Sequence, residues 1–312
     1  METETLKLIK QALPAYKSHQ IDVTLDLLND HNTVPFIARY RKEMTGNLDE
    51  VEIREIQDEA NRISKLQQRK QEVLNQISEQ EKLTPKLSAA IKAATQMQQV
   101  EDLYLPYKQK RRTKATIAKD AGLYPLAQWV LQFKRDPIEP VAKGYINDQV
   151  PDISSVLEGV NEILAEAIGE RAEFREWVRR YTQRNGILTS KLKRNGQQKD
   201  EDQVYKIYYD FQSALKKLSP YQTLAINRGE KAGVLTVKIN VDEPAIDRYL
   251  KFQLIGRHQG PSVTIVEAAY QDAYKRFIGP AIERELRRSL TETAQAHAIQ
   301  VFGNNLYHLL MQ

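Results

Sequence analysis

The chain of 312 residues is 41% hydrophobic and 28% charged, which is typical of a soluble globular protein with one large domain or two modest ones. Its 46 basic residues exceed its 41 acidic residues by five, a surplus that permits a polyanionic partner without requiring one. It has no cysteine, which excludes disulfides and thiolate metal sites, and no apolar run approaches the roughly 20 residues of a membrane span. We therefore expect a cytoplasmic protein without a membrane segment.

The first 135 residues are dominated by apolar residues at helical spacing, which predict one helix after another. Asn47 followed by Glu50 predicts a capping box at the start of a long helix. Thr84 followed by Pro85 predicts a second helix start, with a capping hydroxyl before a proline at the first helical position. Pro106 interrupts this pattern, and a basic run follows it.

The rest of the chain adds more helices and a small amount of strand. Alternating apolar and polar residues predict a strand over 234–241, with 186–192 as a weaker candidate. The polar segment 183–203 predicts a loop or domain boundary, and the C-terminal helical pattern contains a break at Gly279–Pro280. Since one or two strands cannot form an independent sheet, we expect a mainly α fold with one small β element packed against helices.

Motifs of catalysis, metal binding and cofactor binding are missing from the sequence. No two histidines have the i, i+4 spacing of a helical zinc site; they lie at His19, His31, His258, His297 and His308. There is no phosphate-binding GxxxxGK[ST] loop, no GxGxxG after a strand and no GxSxG nucleophile elbow. We therefore expect no enzymatic activity, no cofactor, no metal and no small-molecule substrate.

The densest basic segment places five cations within seven residues, directly after two tyrosines, and consists of Lys108, Lys110, Arg111, Arg112 and Lys114. Clustered lysine and arginine side chains next to aromatic rings suit contact with a phosphate backbone, because neutralising phosphates releases counterions. The alternative is a solvated loop, or basic side chains that pair with neighbouring carboxylates such as Glu101 and Asp102.

A second basic group, Arg39, Arg41 and Lys42, follows the apolar string VPFIA. The two arginines are two residues apart, so on a helix they point to different faces. These side chains are a second candidate for phosphate contact. The alternative is an internal salt bridge from at least one of them to Glu43, Asp49 or Glu50.

Three long strings resemble hallmark segments of the bacterial Tex family, in the family's order and at similar spacing. They are TVPFIARYRKEMTGNLDEVEIREI (33–56), EDLYLPYKQKRRTKATIAKDAGLYPLA (101–127) and LAINRGEKAGVL (224–235). The segment GVNEILAEAI (159–168) resembles the family's region between the last two strings. Tex proteins are similar to the eukaryotic elongation factor that travels with RNA polymerase II.

The resemblance implies a domain organisation. A Tex protein has a helical N-terminal region with a helix-turn-helix-like element, an RNase H-like domain, helix-hairpin-helix modules and a C-terminal S1 RNA-binding domain. Residues 1–190 would be the N-terminal helical domain, and 191–312 a helical connector with the small β element near 234–241. The sequence ends before the RNase H-like and S1 domains would begin, as in a fragment or the product of a split gene. Tyr221-Gln222 stands where a His-Arg pair is expected.

These features together predict a nucleic-acid-binding transcription accessory protein of which this chain is the N-terminal scaffold. Its cationic side chains would contact the RNA or DNA backbone by charge, without reading the bases. The alternative is a protein-interaction module that docks on RNA polymerase or on ribosome-associated partners without direct nucleic-acid contact. The catalytic carboxylates of an RNase H-like domain would lie beyond residue 312.

Overall fold

A computed structural model describes residues 3–310, and it confirms a mainly α fold with one small β element. The chain forms two compact units, Met1–Tyr107 and Lys108–Gln312. The helices of the first unit are α1 Thr3–Ala12, α2 Ser18–Asn29, α3 Val34–Tyr40, α4 Glu50–Glu79, α5 Pro85–Ala93 and α6 Met97–Tyr104.

The 30-residue helix α4 is the axis of the first unit. Its first half, with Ile53 and Ile56, packs against α1, α2 and α3 around one apolar cluster. Its second half, with Leu66 and Val73, packs against α5 and α6 around another. A long amphipathic helix with apolar residues every three to four positions therefore supports two small groups of helices along its length.

The start of α4 differs from the prediction. Asp49 is the N-cap: its carboxylate accepts hydrogen bonds from the N–H groups of Val51 and Glu52, while the Glu52 side chain accepts from the N–H of Asp49. The predicted cap, Asn47, lies two residues earlier with φ 68°, outside the helix. The predicted start at Thr84 is confirmed, since its hydroxyl accepts from the N–H of Leu87 at 3.2 Å.

The second unit contains the remaining helices and all strands between residues 108 and 310. They are α7 Lys114–Asp120, α8 Tyr124–Val130, α9 Ile138–Lys143, α10 Ile153–Gly169, α11 Ala172–Asn185, β1 Ile187–Leu192, β2 Asp210–Ala214, α12 Pro220–Lys231, β3 Leu235–Asn240, α13 Glu243–Leu254, α14 Ser262–Ala273 and α15 Gly279–Leu310. Helix α10 is the centre of the unit and packs against α7, α8 and α14. A single apolar cluster runs from these helices to the sheet and α15.

The sheet has three antiparallel strands in the order β2-β1-β3, with Leu188 of β1 opposite Ser213 and Ile239. Both predicted strands are confirmed, and the third, β2, was not predicted. The expected domain boundary near residue 190 falls within β1. Because β1 pairs with both neighbours and α11 packs beside the sheet, the contacts across that position are continuous, and the chain divides instead after Tyr107.

The predicted break at Gly279–Pro280 marks a change of helical geometry. Helix α14 continues through a π-helical turn, Tyr274–Ile278, directly into α15. Proline has no N–H to complete the helical ladder, and a wider turn accommodates this irregularity. A Cβ on Gly279 would lie 3.1 Å from the carbonyl oxygen of Tyr274, so glycine suits this position.

The second half of α15 is exposed at every position from 295 to 310. Its first half is packed, with Ile282 and Leu286 buried. The exposed half presents large apolar side chains at Ile299, Val301, Phe302, Leu306, Tyr307, Leu309 and Leu310. Between residues 3 and 310, no helix combines the length and apolar character needed to cross a membrane.

Candidate nucleic-acid interface

The basic segment 108–114 connects a short 3₁₀ turn, Leu105–Tyr107, to the start of α7. Thr113 is the N-cap of α7, since its hydroxyl accepts from the N–H of Thr116 at 3.0 Å. The residues between these two points have no regular structure. When backbone and side chain are taken together, all five predicted cations are exposed to solvent.

Glu162 and Glu166 of helix α10 and Glu170, its C-cap, follow one another at a spacing of four residues and therefore lie on one face. Lys110 forms ion pairs with Glu170 and, at 3.4 Å, with Glu166. Lys114 lies 3.7 Å from Glu162. The acidic face of α10 thus receives two of the five predicted cations and holds the basic segment against the unit.

The ion pair at Lys110 is partly shielded from water. Its side chain is 29% exposed, against 10% for Glu166 and 17% for Glu170. Burial raises the pKa of Glu170 above its ordinary value, although the Lys110 ammonium acts in the opposite direction. The role of Lys110 is therefore to anchor the segment, and its charge is largely neutralised within the unit.

The remaining cations of the segment form no ion pair with α10. Among residues 3–310, no carboxylate lies within 4.0 Å of Lys108 or Arg111. Arg112 is 71% exposed and lies 3.8 Å from Asp120, a contact that water and salt weaken strongly. Lys108, Arg111 and Arg112 form what we call the outward cluster, the part of the predicted site that remains accessible to a phosphate chain.

The carboxylates that we expected as internal partners do not serve this segment. Glu101 instead pairs with Arg69 of α4, at 2.6 Å. Asp102 is buried on α6 and accepts a hydrogen bond from Gln98 at 3.4 Å. Internal pairing of the basic segment does occur, but its partners come from α10, some 50 residues later in the chain.

The second basic group lies at the end of α3 and in the turn that follows it. Arg39, Arg41 and Lys42 are exposed, and within the described residues none has a carboxylate within 4.0 Å. The predicted alternative, a salt bridge to a nearby acid, is therefore absent there. Asp49 and Glu50 are instead part of the N-terminus of α4.

Aromatic rings accompany these cations. Tyr40 is 66% exposed, and its ring centroid lies 5.2 Å from that of Phe36. The Arg41 guanidinium lies over the Phe36 ring at 5.3 Å, within the range of a cation–π contact. Met44 is 51% exposed nearby in sequence. We call Arg39 to Lys42, with Phe36, the α3 cluster; the sequence drew attention to its charges but not to its exposed tyrosine.

Helices α2 and α3 are joined by four residues, 30–33, and both pack against α4. His31 in this connection has φ 62°, which allows the chain to turn sharply. Thr33 caps α3, and Pro35 stands in its first turn. The α3 cluster therefore lies on and just after the second helix of a short two-helix pair.

No group of three or more histidine, aspartate or glutamate residues suited to a metal ion occurs in residues 3–310. The cationic side chains are thus the functional candidates that the structure retains from the sequence. The α3 cluster belongs to the first unit and the outward cluster to the second.

Comparison with known proteins identifies the family of this chain. Residues 3–78 match the Tex-like protein N-terminal domain, and residues 134–302, more than half of the chain, match the Tex central region. The chain is 42% identical to YdcI of Bacillus subtilis, over 99% of this chain and 44% of YdcI. It is 35% identical to the transcriptional accessory protein Tex of Neisseria gonorrhoeae, over 98% of this chain and 41% of that protein.

A more distant relative is the human S1 RNA-binding domain-containing protein 1, which is 30% identical over 91% of this chain and 30% of its own length. The chain belongs to the Tex family. It spans less than half the length of each of these three relatives. One of these relatives is named a transcriptional accessory protein and another an S1 RNA-binding domain-containing protein.

Proposed function

We propose that this chain is the N-terminal, nucleic-acid-contacting scaffold of a cytoplasmic transcription accessory protein. The α3 cluster supplies the main contacts to the sugar-phosphate backbone of RNA or DNA, and the outward cluster supplies further contacts. The observation that carries the proposal is the set of three cations at Arg39, Arg41 and Lys42, with no carboxylate within 4.0 Å among the described residues.

Electrostatics supports this order of importance. A cation that already has an internal partner gains little from a phosphate, because the new contact must replace an existing one. The α3 cluster has no such partner to displace, whereas Arg112 of the outward cluster lies 3.8 Å from Asp120. The pair formed by Tyr40 and Phe36 adds a surface on which an unpaired base can stack.

The connection between α2 and α3 supports a helix-turn-helix-like element in the first unit. A turn of three or four residues between two helices is typical of that motif, whose second helix approaches the nucleic acid. Helix α3, Val34–Tyr40, occupies this second position and carries Arg39 and Tyr40. The proposal assigns charge-based positioning to this helix and no reading of base sequence.

The test is the salt dependence of binding to single-stranded RNA and to duplex DNA. A triple variant, Arg39→Gln, Arg41→Gln and Lys42→Gln, should lower the slope of log K against log salt by roughly 2–3 on duplex DNA, about 0.9 per lost contact. Charge reversal at Arg111 and Arg112 should give a smaller reduction in the same direction.

The matched control is Lys110→Gln, which removes a cation of the same segment that is held by carboxylates. It should leave the slope unchanged while lowering thermal stability. An unchanged slope in the α3 triple variant, with the fold intact by circular dichroism, would reject the assignment. The proposal includes no chemical reaction, so nuclease activity of the purified chain would contradict that part.

A second candidate function is a protein-interaction module, and the apolar surface of α15 beyond residue 295 favours it. In that case the chain would bind purified bacterial RNA polymerase or a ribosome-associated protein, and the α3 triple variant would bind it as well as the parent does. Replacement of Phe302 and Leu309 by serine would then abolish binding to that protein partner. The affinity of the parent chain for RNA would not depend on salt.

A further inference from the structure

A cleft of about 860 Å³ opens in the second unit between the end of β3 and helices α11, α13, α14 and α15. Its size is that of a small-molecule or side-chain site. It is separate in sequence from both basic clusters. The side chains that line it combine carboxylates, tyrosine rings and a few cations.

Three carboxylates line the cleft, Glu243 and Asp247 from α13 and Glu283 from α15. Asp247 accepts one hydrogen bond, from the Gln271 amide at 3.1 Å. Glu283 accepts one, from the N–H of Ile239 at 2.8 Å. Because a carboxylate can accept about four hydrogen bonds, both retain acceptor capacity toward the cleft.

Two cations also line the cleft, and they reduce its negative charge only in part. Arg248 is 72% exposed and lies 3.9 Å from Asp242, outside the lining. Lys275 is exposed to solvent. Three acids face two cations, one of which has its own partner, so the lining carries a net negative charge.

The tyrosines provide independent observations. Tyr270 is fully buried, lines the cleft, and its hydroxyl completes no hydrogen bond with the described residues. Burial, together with the nearby charge of Asp247, raises the pKa of Tyr270 above its ordinary value. Burial and the charges of Glu243 and Glu283 raise the pKa of Tyr274 to about 12. The cleft therefore disfavours additional negative charge, and its buried hydroxyl completes no hydrogen bond within residues 3–310 although Asp247 and Gln271 lie close to it.

The backbone places these groups in an uncommon way. Tyr274 and Lys275 belong to the π-helical turn between α14 and α15. Such turns are rare and are frequent at functional sites, since the extra residue redirects the side chains on either side of it. Tyr274 lines the same cleft as Tyr270, four residues earlier.

We propose that this cleft binds an organic cation with an ammonium or guanidinium group. The cation would donate hydrogen bonds to Asp247, Glu283 and the Tyr270 hydroxyl, with the Tyr274 ring beside it. Carboxylates together with aromatic faces are the environment that such cations prefer in proteins. The cation is either a free polyamine or a lysine or arginine side chain of a polypeptide. The proposal does not depend on nucleic-acid contact by the basic clusters.

The experiment is isothermal titration calorimetry of the 312-residue chain at constant ionic strength. The probes are spermidine, for a free polyamine, and N-acetyl-lysine amide and N-acetyl-arginine amide, for a polypeptide side chain. Sodium acetate is the control of opposite charge. We expect the cationic probes to bind and acetate to give no heat of binding. Tighter binding of spermidine identifies a polyamine, and tighter binding of either amide identifies a side chain.

Variants locate the binding in the cleft. Tyr270→Phe keeps the buried ring and removes the hydroxyl, and Asp247→Asn removes a charge at nearly constant volume. Each should weaken the best probe by about tenfold or more, as for a lost hydrogen bond to a charged group. Lys275→Gln removes a competing cation and should tighten binding by about two- to threefold. Tyr221→Phe, an exposed tyrosine of the same unit outside the lining, should bind as the parent does.

Tryptophan fluorescence gives a second readout in the Trp129→Phe background, where Trp177 alone remains. Trp177 stacks on Tyr249 of α13 at 3.8 Å, next to the wall of the cleft. Its emission should change with the cationic probes and stay constant with acetate. Parent-like affinity in folded Tyr270→Phe and Asp247→Asn variants, or no binding of any cationic probe at 10 mM (about 2.7 kcal/mol), would overturn the proposal.

Discussion

Removal of the buried guanidinium of Arg179 should strongly destabilise the second unit. Arg179 is 5% exposed on α11 and donates to Glu176 of the same helix at 2.8 Å and to Glu285 of α15 at 2.6 Å. In Arg179→Met the charge disappears while most of the side-chain volume remains. Glu176 keeps Arg180 at 3.2 Å, but Glu285, whose side chain is only 16% exposed, is left without this cation.

The size of the effect follows from that uncompensated carboxylate. Breaking a buried ion pair at one partner costs about 3–5 kcal/mol, and we expect the lower end because Glu176 retains a partner. For a unit of this size, about 3 kcal/mol lowers the melting temperature by roughly 6–12 °C. Differential scanning calorimetry and urea denaturation of the 312-residue chain measure both quantities.

A double variant shows whether the cost comes from the orphaned acid. Arg179→Met combined with Glu285→Gln removes both charges and should recover stability to within about 1 kcal/mol of the parent, because replacing both members of a buried pair is often neutral. A loss below about 1 kcal/mol in the single variant would show that water already solvates this pair. Failure of the double variant to recover would assign the loss to packing or to other contacts of Arg179.

Three further changes test other parts of the structure. Gly169→Ala places a Cβ 2.9 Å from that of Phe277 and should cost about 1–3 kcal/mol in urea denaturation, whereas Gly303→Ala, which meets no atom within 4 Å, should not destabilise the chain. Burial lowers the pKa of Lys70, so the unfolded chain holds that proton more tightly than the folded chain does. The free energy of unfolding should therefore rise with pH from the lowered pKa up to about 10.4. Lys70→Met should abolish this rise when stability is measured between pH 7 and 10.5. Thr84→Ala removes the cap of α5 and should cost about 1 kcal/mol by the same denaturation assay; no loss would show that the hydroxyl bond at 3.2 Å contributes little.

Helix starts were predictable where the cap and the turn agreed. Thr84 followed by Pro85 fixes both the cap and the first helical residue, and α5 begins as expected. At α4 the cap was predicted at Asn47, but the helix is capped by Asp49, two residues later. Gly46 and Asn47 both have φ 68°, so the preceding turn extends further and the helix starts after Asp49. Backbone turn geometry, which the sequence does not state, decided between them.

Strand prediction depended on alternation. β3 alternates between buried and exposed residues along its length, and this is the pattern from which it was predicted. β2, Asp210–Ala214, has the sequence DFQSA, with one large apolar residue and no clear alternation. It is a strand because it pairs with β1, so its structure comes from tertiary contact more than from local preference.

The basic segment could be recognised from the sequence, but the sequence did not show which of its cations are paired and which are accessible. Five cations in seven residues read as a single patch, whereas α10 binds two of them and leaves the outward cluster accessible. The partners, at Glu162, Glu166 and Glu170, become neighbours only through folding. For the α3 cluster, the sequence prediction of accessible cations agrees with the structure. Any fold that leaves this segment on the surface would keep its cations away from internal carboxylates.

The position of Glu283 has a consequence for how the protein behaves at high concentration. β3 is an outer strand with the apolar alternation LTVKIN, and exposed backbone of this kind is a template for edge-to-edge aggregation. The Glu283 carboxylate occupies the outward N–H of Ile239 and brings a negative charge to that edge. A second molecule cannot add a strand there without displacing the Glu283 carboxylate of α15. The side chain that bonds this helix to the sheet therefore also disfavours aggregation through the sheet edge.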